Sequence, residues 1–267
     1  MNSPAPHQNA ALYSLVDWLV LSGISAETGE ISAYEALQKR QAERNVAVEK
    51  PAETEKPSAA PKKSLQQKHE IPVFNSIEEL NKFCTTWKDF NLAKTASRCV
   101  TGNGDISPLL YIVTDMPEDE EDRNGEAFTS PANQIIRKAL SFTDIPADRI
   151  YFSYLSKWRT PGKRALTPYE MEACANLLQQ EIRLLAPGFV LTLGESARET
   201  VLNGDSVNEL GKISYGKIYK KQMFSKEMTI LPCQKAEFLV KNNLMKKNFW
   251  FGLLELANLI RANGEIR

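Results

Sequence analysis

A chain of 267 residues with 42% hydrophobic and 25% charged residues has a globular composition and slightly exceeds what one ordinary domain needs. Its 33 basic and 33 acidic residues cancel, so no global field marks an anionic polymer as partner, and no apolar run is long enough to span a bilayer. The four cysteines (Cys84, Cys99, Cys174, Cys233) are scattered, which argues against a disulfide framework and predicts reduced thiols in a cytoplasmic protein.

The first predicted element is an amphipathic helix over Ala10 to Ile24, with Leu12, Leu15, Val16, Leu19 and Val20 at helical spacing. It contains Asp17 and lacks a basic leader, so it does not read as a secretory signal. A second short helix is expected at Ser32, where Ser32-Ala33-Tyr34-Glu35 has the form of a capping box. Residues 1–49 are therefore read as an N-terminal helical segment. Residues 50–74 read as a flexible linker, because Pro51, Pro57 and Pro61 among Ala, Lys, Glu and Ser cannot bury a core.

Residues 75–267 read as one α/β domain. Ser76-Ile77-Glu78-Glu79 caps a helix carrying Leu80 and Phe83. Short continuous apolar runs at Pro108 to Val113, Arg149 to Leu155, Gly188 to Leu193 and Met228 to Leu231 predict four strands buried on both faces. Helices are expected between and after them, over Pro131 to Phe142, Thr167 to Leu185, Ser196 to Leu202 and Asn248 to Ala262. Thr167-Pro168-Tyr169-Glu170 and Ser196-Ala197-Arg198-Glu199 both have capping-box form. The alternation predicts a three-layer αβα fold around a central, mostly parallel four-stranded sheet.

Ligands of such sheets bind beyond the carboxyl ends of the strands. The loop after Val113 carries six carboxylates between Asp115 and Asp122. A solvated acidic loop is the simplest reading, and its spacing matches no calcium loop, so no metal is expected. The loop after Leu155 holds Lys157, Arg159, Lys163 and Arg164 around a Pro-Gly turn. A phosphate-contacting element and a basic turn balancing the acidic one are both compatible with that pattern. The lysine-rich stretch Lys212 to Lys247 reads first as a solvated surface. Neither His7 nor His69 falls in the predicted core, so no Ser-His or Cys-His pair is available there.

In order and interval these loops resemble the uracil-DNA glycosylase superfamily, in particular its family-four, iron–sulfur type. The similarity covers roughly the last two-thirds of the chain. The family's Gly-Glu-Ala-Pro-Gly turn looks like Thr114-Asp115-Met116-Pro117-Glu118, followed at the family spacing by Glu121-Asp122, Gly125 and Phe128. Its Lys-Cys-Arg-Pro-Pro-Gly-Asn-Arg stretch looks like Lys157 to Arg164. Its Thr-Pro-x-Glu helix start matches Thr167, Pro168 and Glu170, with Cys174 four residues on, and a Leu-Gly-x-x-Ala turn matches Leu193, Gly194 and Ala197.

The resemblance implies base-excision DNA repair, with hydrolysis of the N-glycosidic bond of uracil or another deaminated base. Asp115 and Lys235 would be the catalytic groups. Met116, Pro117, Phe128 and Tyr154 would bind the base, with Phe128 also readable as a core residue, and Lys157, Arg159, Lys163 and Arg164 would contact DNA. Of the four cluster cysteines only Cys84 and Cys174 are matched. Trp87 and Trp158 occupy the other two places, so no cofactor is expected and cluster loss is implied. Thr114 and Glu118 replace glycines that let a backbone approach a base. The alternative is therefore a catalytically inactive homologue acting as a DNA- or protein-binding module, with the N-terminal helix as a protein contact. A monomer is expected on either reading.

Overall fold

The computed structural model describes residues 71–202 and 214–264. The helices expected at Ala10 to Ile24 and at Ser32, and most of the linker, lie outside the described residues. In chain order the elements are α1 (Ile77–Thr86), α2 (Asn91–Thr95), β1 (Asn103–Gly104), β2 (Leu110–Thr114), α3 (Asp119–Asn124), α4 (Pro131–Leu140) and β3 (Ile150–Tyr154). They continue with α5 (Pro168–Leu185), β4 (Phe189–Leu193), α6 (Glu195–Leu202), β5 (Tyr219–Met223), β6 (Lys226–Cys233), α7 (Ala236–Lys241) and α8 (Asn243–Ala262). Among the described residues no helix is long and apolar enough to cross a membrane.

The sheet order is β1-β3-β2-β4-β6-β5. The four expected strands form its parallel centre, with β2 hydrogen-bonded to β3 and β4, and β4 to β6. Every residue of β2, β3 and β4 is buried, which is why they read as unbroken apolar runs. The sheet is wider than expected: two antiparallel strands, β1 and β5, close its edges. Neither has an apolar run to betray it. β1 is only Asn103–Gly104, and β5 carries Lys220 and Lys221, the charged residues that keep an exposed edge from pairing further.

Alternate residues of each strand feed two cores. Tyr111, Val113, Tyr151, Val190 and Ile230 pack under α1, α5 and α6 with Trp87, Phe90, Trp158, Cys84 and Cys174. Ile112, Phe152 and Leu191 point to the opposite face, where α4 and α8 bury Ile136, Phe249, Trp250 and Leu253. The strand ends are aligned, Thr114 beside Tyr154 and Leu193, and Leu193 beside Cys233. Their following loops therefore converge on one rim.

Among the described residues, helix starts follow the sequence at two of the three expected caps; the box expected at Ser32 lies outside those residues. Ser76 Oγ accepts from Glu79 N–H at 3.2 Å, and Thr167 and Glu170 bond reciprocally at 3.3 and 2.8 Å. The box expected at Ser196 does not form. The helix begins one residue earlier, at Glu195, and its third N–H is met by a carboxylate from a distant loop.

Candidate active site

That carboxylate is Asp115, the residue after β2. Only 4% of it is exposed, and both oxygens are engaged: Oδ1 accepts from Ala197 N–H at 2.7 Å, and Oδ2 meets Lys235 Nζ at 2.7 Å. Lys235 stands two residues past β6, so the pair joins loops that follow two parallel strands. The N-terminal end of α6 carries unbonded N–H groups and a positive partial charge, which favour an anion there. Gly194 makes the approach feasible. It has φ +110°, and a β-carbon on it would lie 2.7 Å from Asp115 Oδ2. Gly194→Ala is expected to destabilise the fold by about 1–3 kcal/mol and displace Asp115. An unchanged denaturation midpoint would show the turn tolerates the side chain.

The acidic turn is a short helix whose carboxylates are largely structural acceptors. Glu121, fully buried, accepts from Glu118 N–H at 2.9 Å, Ser130 N–H at 3.1 Å and Asn133 Nδ2 at 2.8 Å. Asp122 accepts from the N–H groups of Ser97 and Arg98 at 3.0 and 3.4 Å. Sequence spacing could not show this, because four of these donors belong to other segments of the chain.

The expected DNA-contacting cations are each matched to a carboxylate. Lys157 is fully buried beneath the sheet, paired with Glu181 and bonded to Ser153 Oγ at 2.5 Å, so it is not placed to reach a phosphate. Arg159 pairs with Asp119, and Arg164 grips Glu170 through two bonds of 2.7 Å. Lys163 bridges Glu118 and Glu237, each at 2.5 Å. Burial pushes the Glu118 carboxyl above its ordinary pKa despite Lys163, whereas the Lys163 hydrogen bond holds Glu237 below its own. Arg159 and Lys163 thus pair with carboxylates of the acidic turn, and Lys157 and Arg164 with carboxylates of α5.

Of the expected base-binding residues, Phe128 and Tyr154 are brought together and pack closed on each other. Phe128 is fully buried, its ring 4.9 Å from Phe152 and 5.5 Å from Tyr154. Its backbone sits at φ +58°, held by Tyr154 Oη at 2.8 Å on its N–H and by Arg137 Nε at 3.0 Å on its carbonyl. The buried Phe128 ring is the core alternative left open by the sequence. Met116 and Pro117 follow Asp115, and Met116 Sδ accepts from Thr160 Oγ1 at 3.4 Å. Met116 lines a cavity of about 50 Å³ with Asp115, Glu118, Asn133, Lys163 and Lys235. On the other side of Asp115 and Lys235 lies a cleft of about 1110 Å³ between α6 and α8, which the sequence did not single out.

The places of the implied iron–sulfur cluster lie in the α1–α5 core. Trp87 stacks on Phe90 at 4.4 Å and meets Trp158 edge-on at 6.0 Å, beside the buried Cys84 and Cys174. Burial pushes the Cys174 and Cys99 thiols up to about 12 and raises that of Cys84 as well. Three thiols (Cys84, Cys99 and Cys174) and two indole rings do not supply the four thiolates such a cluster takes, so the residues present do not fit it.

The family model described as the uracil DNA glycosylase superfamily matches residues 101–254. The chain is 25% identical over 158 residues to the type-4 uracil-DNA glycosylase of Archaeoglobus fulgidus, covering 58% of this chain and 79% of that protein. It is 27% identical over 132 residues to that of Thermotoga maritima, covering 49% and 67%. It is also similar, at 24% over 136 residues, to a DNA polymerase of Bacillus phage SP01, of which 14% is covered.

Proposed function

The chain belongs to the uracil-DNA glycosylase superfamily, and on that premise we propose that it acts in base-excision repair, cleaving the N-glycosidic bond of a deaminated base in DNA. The observation that carries this reading is the Asp115–Lys235 pair at the converging strand ends. Extrusion brings the sugar and base of one nucleotide out of the stack. Asp115, fixed by Ala197 N–H and Lys235, would orient a water toward the sugar carbon or stabilise its developing positive charge. The Lys235 ammonium would stabilise the negative charge that gathers on the departing base.

DNA is the proposed partner, met through Arg159, Lys163 and Arg164, which remain partly exposed beside their carboxylates. Phosphates must compete with those carboxylates, so binding should be modest and weaken steeply with salt. The iron–sulfur cluster of the family is proposed to be lost, with Trp87 and Trp158 filling its place by apolar packing. Protein purified under anaerobic conditions is then expected to carry no stoichiometric iron; four irons per chain would reject this.

One observation favours a second reading, a homologue that binds DNA without cutting it. The cavity beside Met116, about 50 Å³, is far smaller than the roughly 300–1,000 Å³ of pockets that take small organic ligands. The two readings separate on single-stranded DNA carrying uracil, incubated with the protein and then cleaved at abasic sites with alkali. Product from substoichiometric protein supports turnover. Intact DNA in the presence of folded, DNA-bound protein supports the second reading.

A further inference from the structure

Three side chains from separate segments meet over one face of Asp115. Glu118 follows β2, Lys163 stands in the turn after β3, and Glu237 lies in the first turn of α7. Lys163 Nζ is 2.5 Å from Glu118 Oε2 and 2.5 Å from Glu237 Oε1, so one ammonium joins two carboxylates. All three residues line the cavity of about 50 Å³ whose wall also includes Asp115, Met116 and Lys235. Their side chains are 23–41% exposed, whereas that of Asp115 is nearly buried. The bridge is therefore the outer wall of this cavity, on the side of Met116, an expected base contact.

The turn that carries Lys163 is anchored without its side chain. Thr160 Oγ1 donates to the Arg164 carbonyl at 2.7 Å, and Arg164 in turn grips Glu170. Lys163 itself has φ +56°, in the left-handed region that a residue with a β-carbon enters only at a cost. Partly exposed ion pairs are weak, because solvent screens them and two long side chains must be held in one geometry. A phosphodiester offers the same ammonium a competing anion. Once Lys163 turns to it, Glu118 and Glu237 face each other across the cavity mouth without the cation they share. Like charges so placed repel, which moves the loop after β2 away from α7.

We propose that the Glu118–Lys163–Glu237 bridge is a latch on the base subsite beside the turn after β2, closed in the free protein and released when a DNA phosphate draws Lys163 away. This rests on the base-excision reading above. Release removes the wall that limits the cavity, so access to Asp115 from this side depends on a bound backbone. A free nucleobase carries no phosphate, does not compete for Lys163 and is excluded. Lys163 is a positioning residue in this scheme: it meets the backbone, not the base, and acts on the subsite through two carboxylates.

The test uses the full chain with a reporter thiol in the cavity, Ala236→Cys, since Ala236 is buried and lines it. Modification of that thiol by iodoacetamide is followed by mass spectrometry of the peptide that carries it. Adding Glu118→Gln with Glu237→Gln is expected to raise the rate about tenfold without DNA, each partly exposed pair contributing up to about fivefold. Lys163→Ala is expected to do the same, and replaces the double change if that chain does not fold. A folded variant of either kind whose rate stays within about twofold of the reporter chain overturns the latch. A single-stranded oligomer of abasic deoxyribose phosphates then supplies backbone without bases, with its binding read by fluorescence anisotropy. At saturation the reporter rate should rise to that of the latch variants. If the oligomer binds and the rate does not rise, phosphate does not release the bridge, and this proposal alone falls. If the oligomer does not bind, the proposal falls as well; if a uracil-containing strand also fails to bind, the DNA reading falls with it.

Discussion

Glu181→Ala is expected to destabilise the protein by about 3–5 kcal/mol, enough to leave many domains of this size partly unfolded. Glu181 and Lys157 have no exposed side-chain surface, and they meet between β3 and α5 inside the larger core. Tyr111 Oη donates to Glu181 Oε1 at 2.7 Å, and Lys157 Nζ reaches Ser153 Oγ at 2.5 Å. Truncating the carboxylate leaves an ammonium in an apolar interior with a single hydroxyl for company, together with a phenol stripped of its acceptor. Desolvation, not the lost attraction, sets the size of the effect. The double change Lys157→Met with Glu181→Leu removes both charges, and most of the lost stability should return. Urea denaturation of the variants measures both steps. A loss below about 1 kcal/mol for Glu181→Ala would mean that water reaches the pair, contrary to its burial.

Asp115→Asn is expected to lower base excision by roughly 10²- to 10⁴-fold while changing DNA affinity little. The amide keeps the shape of the side chain and an oxygen for Ala197 N–H, now 2.7 Å from Asp115 Oδ1. It removes the charge that orients water or faces the sugar, and it leaves Lys235 without its anionic partner. The abasic-site assay, run beside anisotropy with the same oligonucleotide, separates lost chemistry from lost binding. Excision that survives within a few-fold would exclude Asp115 as the reacting carboxylate. That result would turn attention to Glu195 and Glu199 on the cleft wall.

These two carboxylates show how differently local signals can be used. Glu181 was invisible as a functional or structural feature, because its partner lies 24 residues earlier and nothing in either neighbourhood marks the pairing. The basic turn presents Lys157 as a DNA contact for the same reason: a cation in such a turn announces its charge, not its direction. Asp115 was singled out by its place after a strand and by its resemblance to the family's turn. Its action as the cap of α6 was not foreseen. Ser196-Ala197-Arg198-Glu199 has the local form of a cap, yet a carboxylate from the loop after β2 meets Ala197 N–H.

The sequence by itself determined the four central strands, most of the helices in the described region and the loops that meet at the strand ends. Each of these is written in short-range signals: apolar runs for strands buried on both faces, 3.6-residue periodicity for helices, and caps a few residues long. The order of landmarks along the chain determined the family. Only the tertiary structure decided which cations and carboxylates neutralise one another, that Phe128 and Tyr154 close on each other, and that the open cleft lies on the far side of Asp115 and Lys235. Those outcomes depend on contacts between residues far apart in sequence, and on the volume left once every side chain is packed. No stretch of the chain carries either quantity alone.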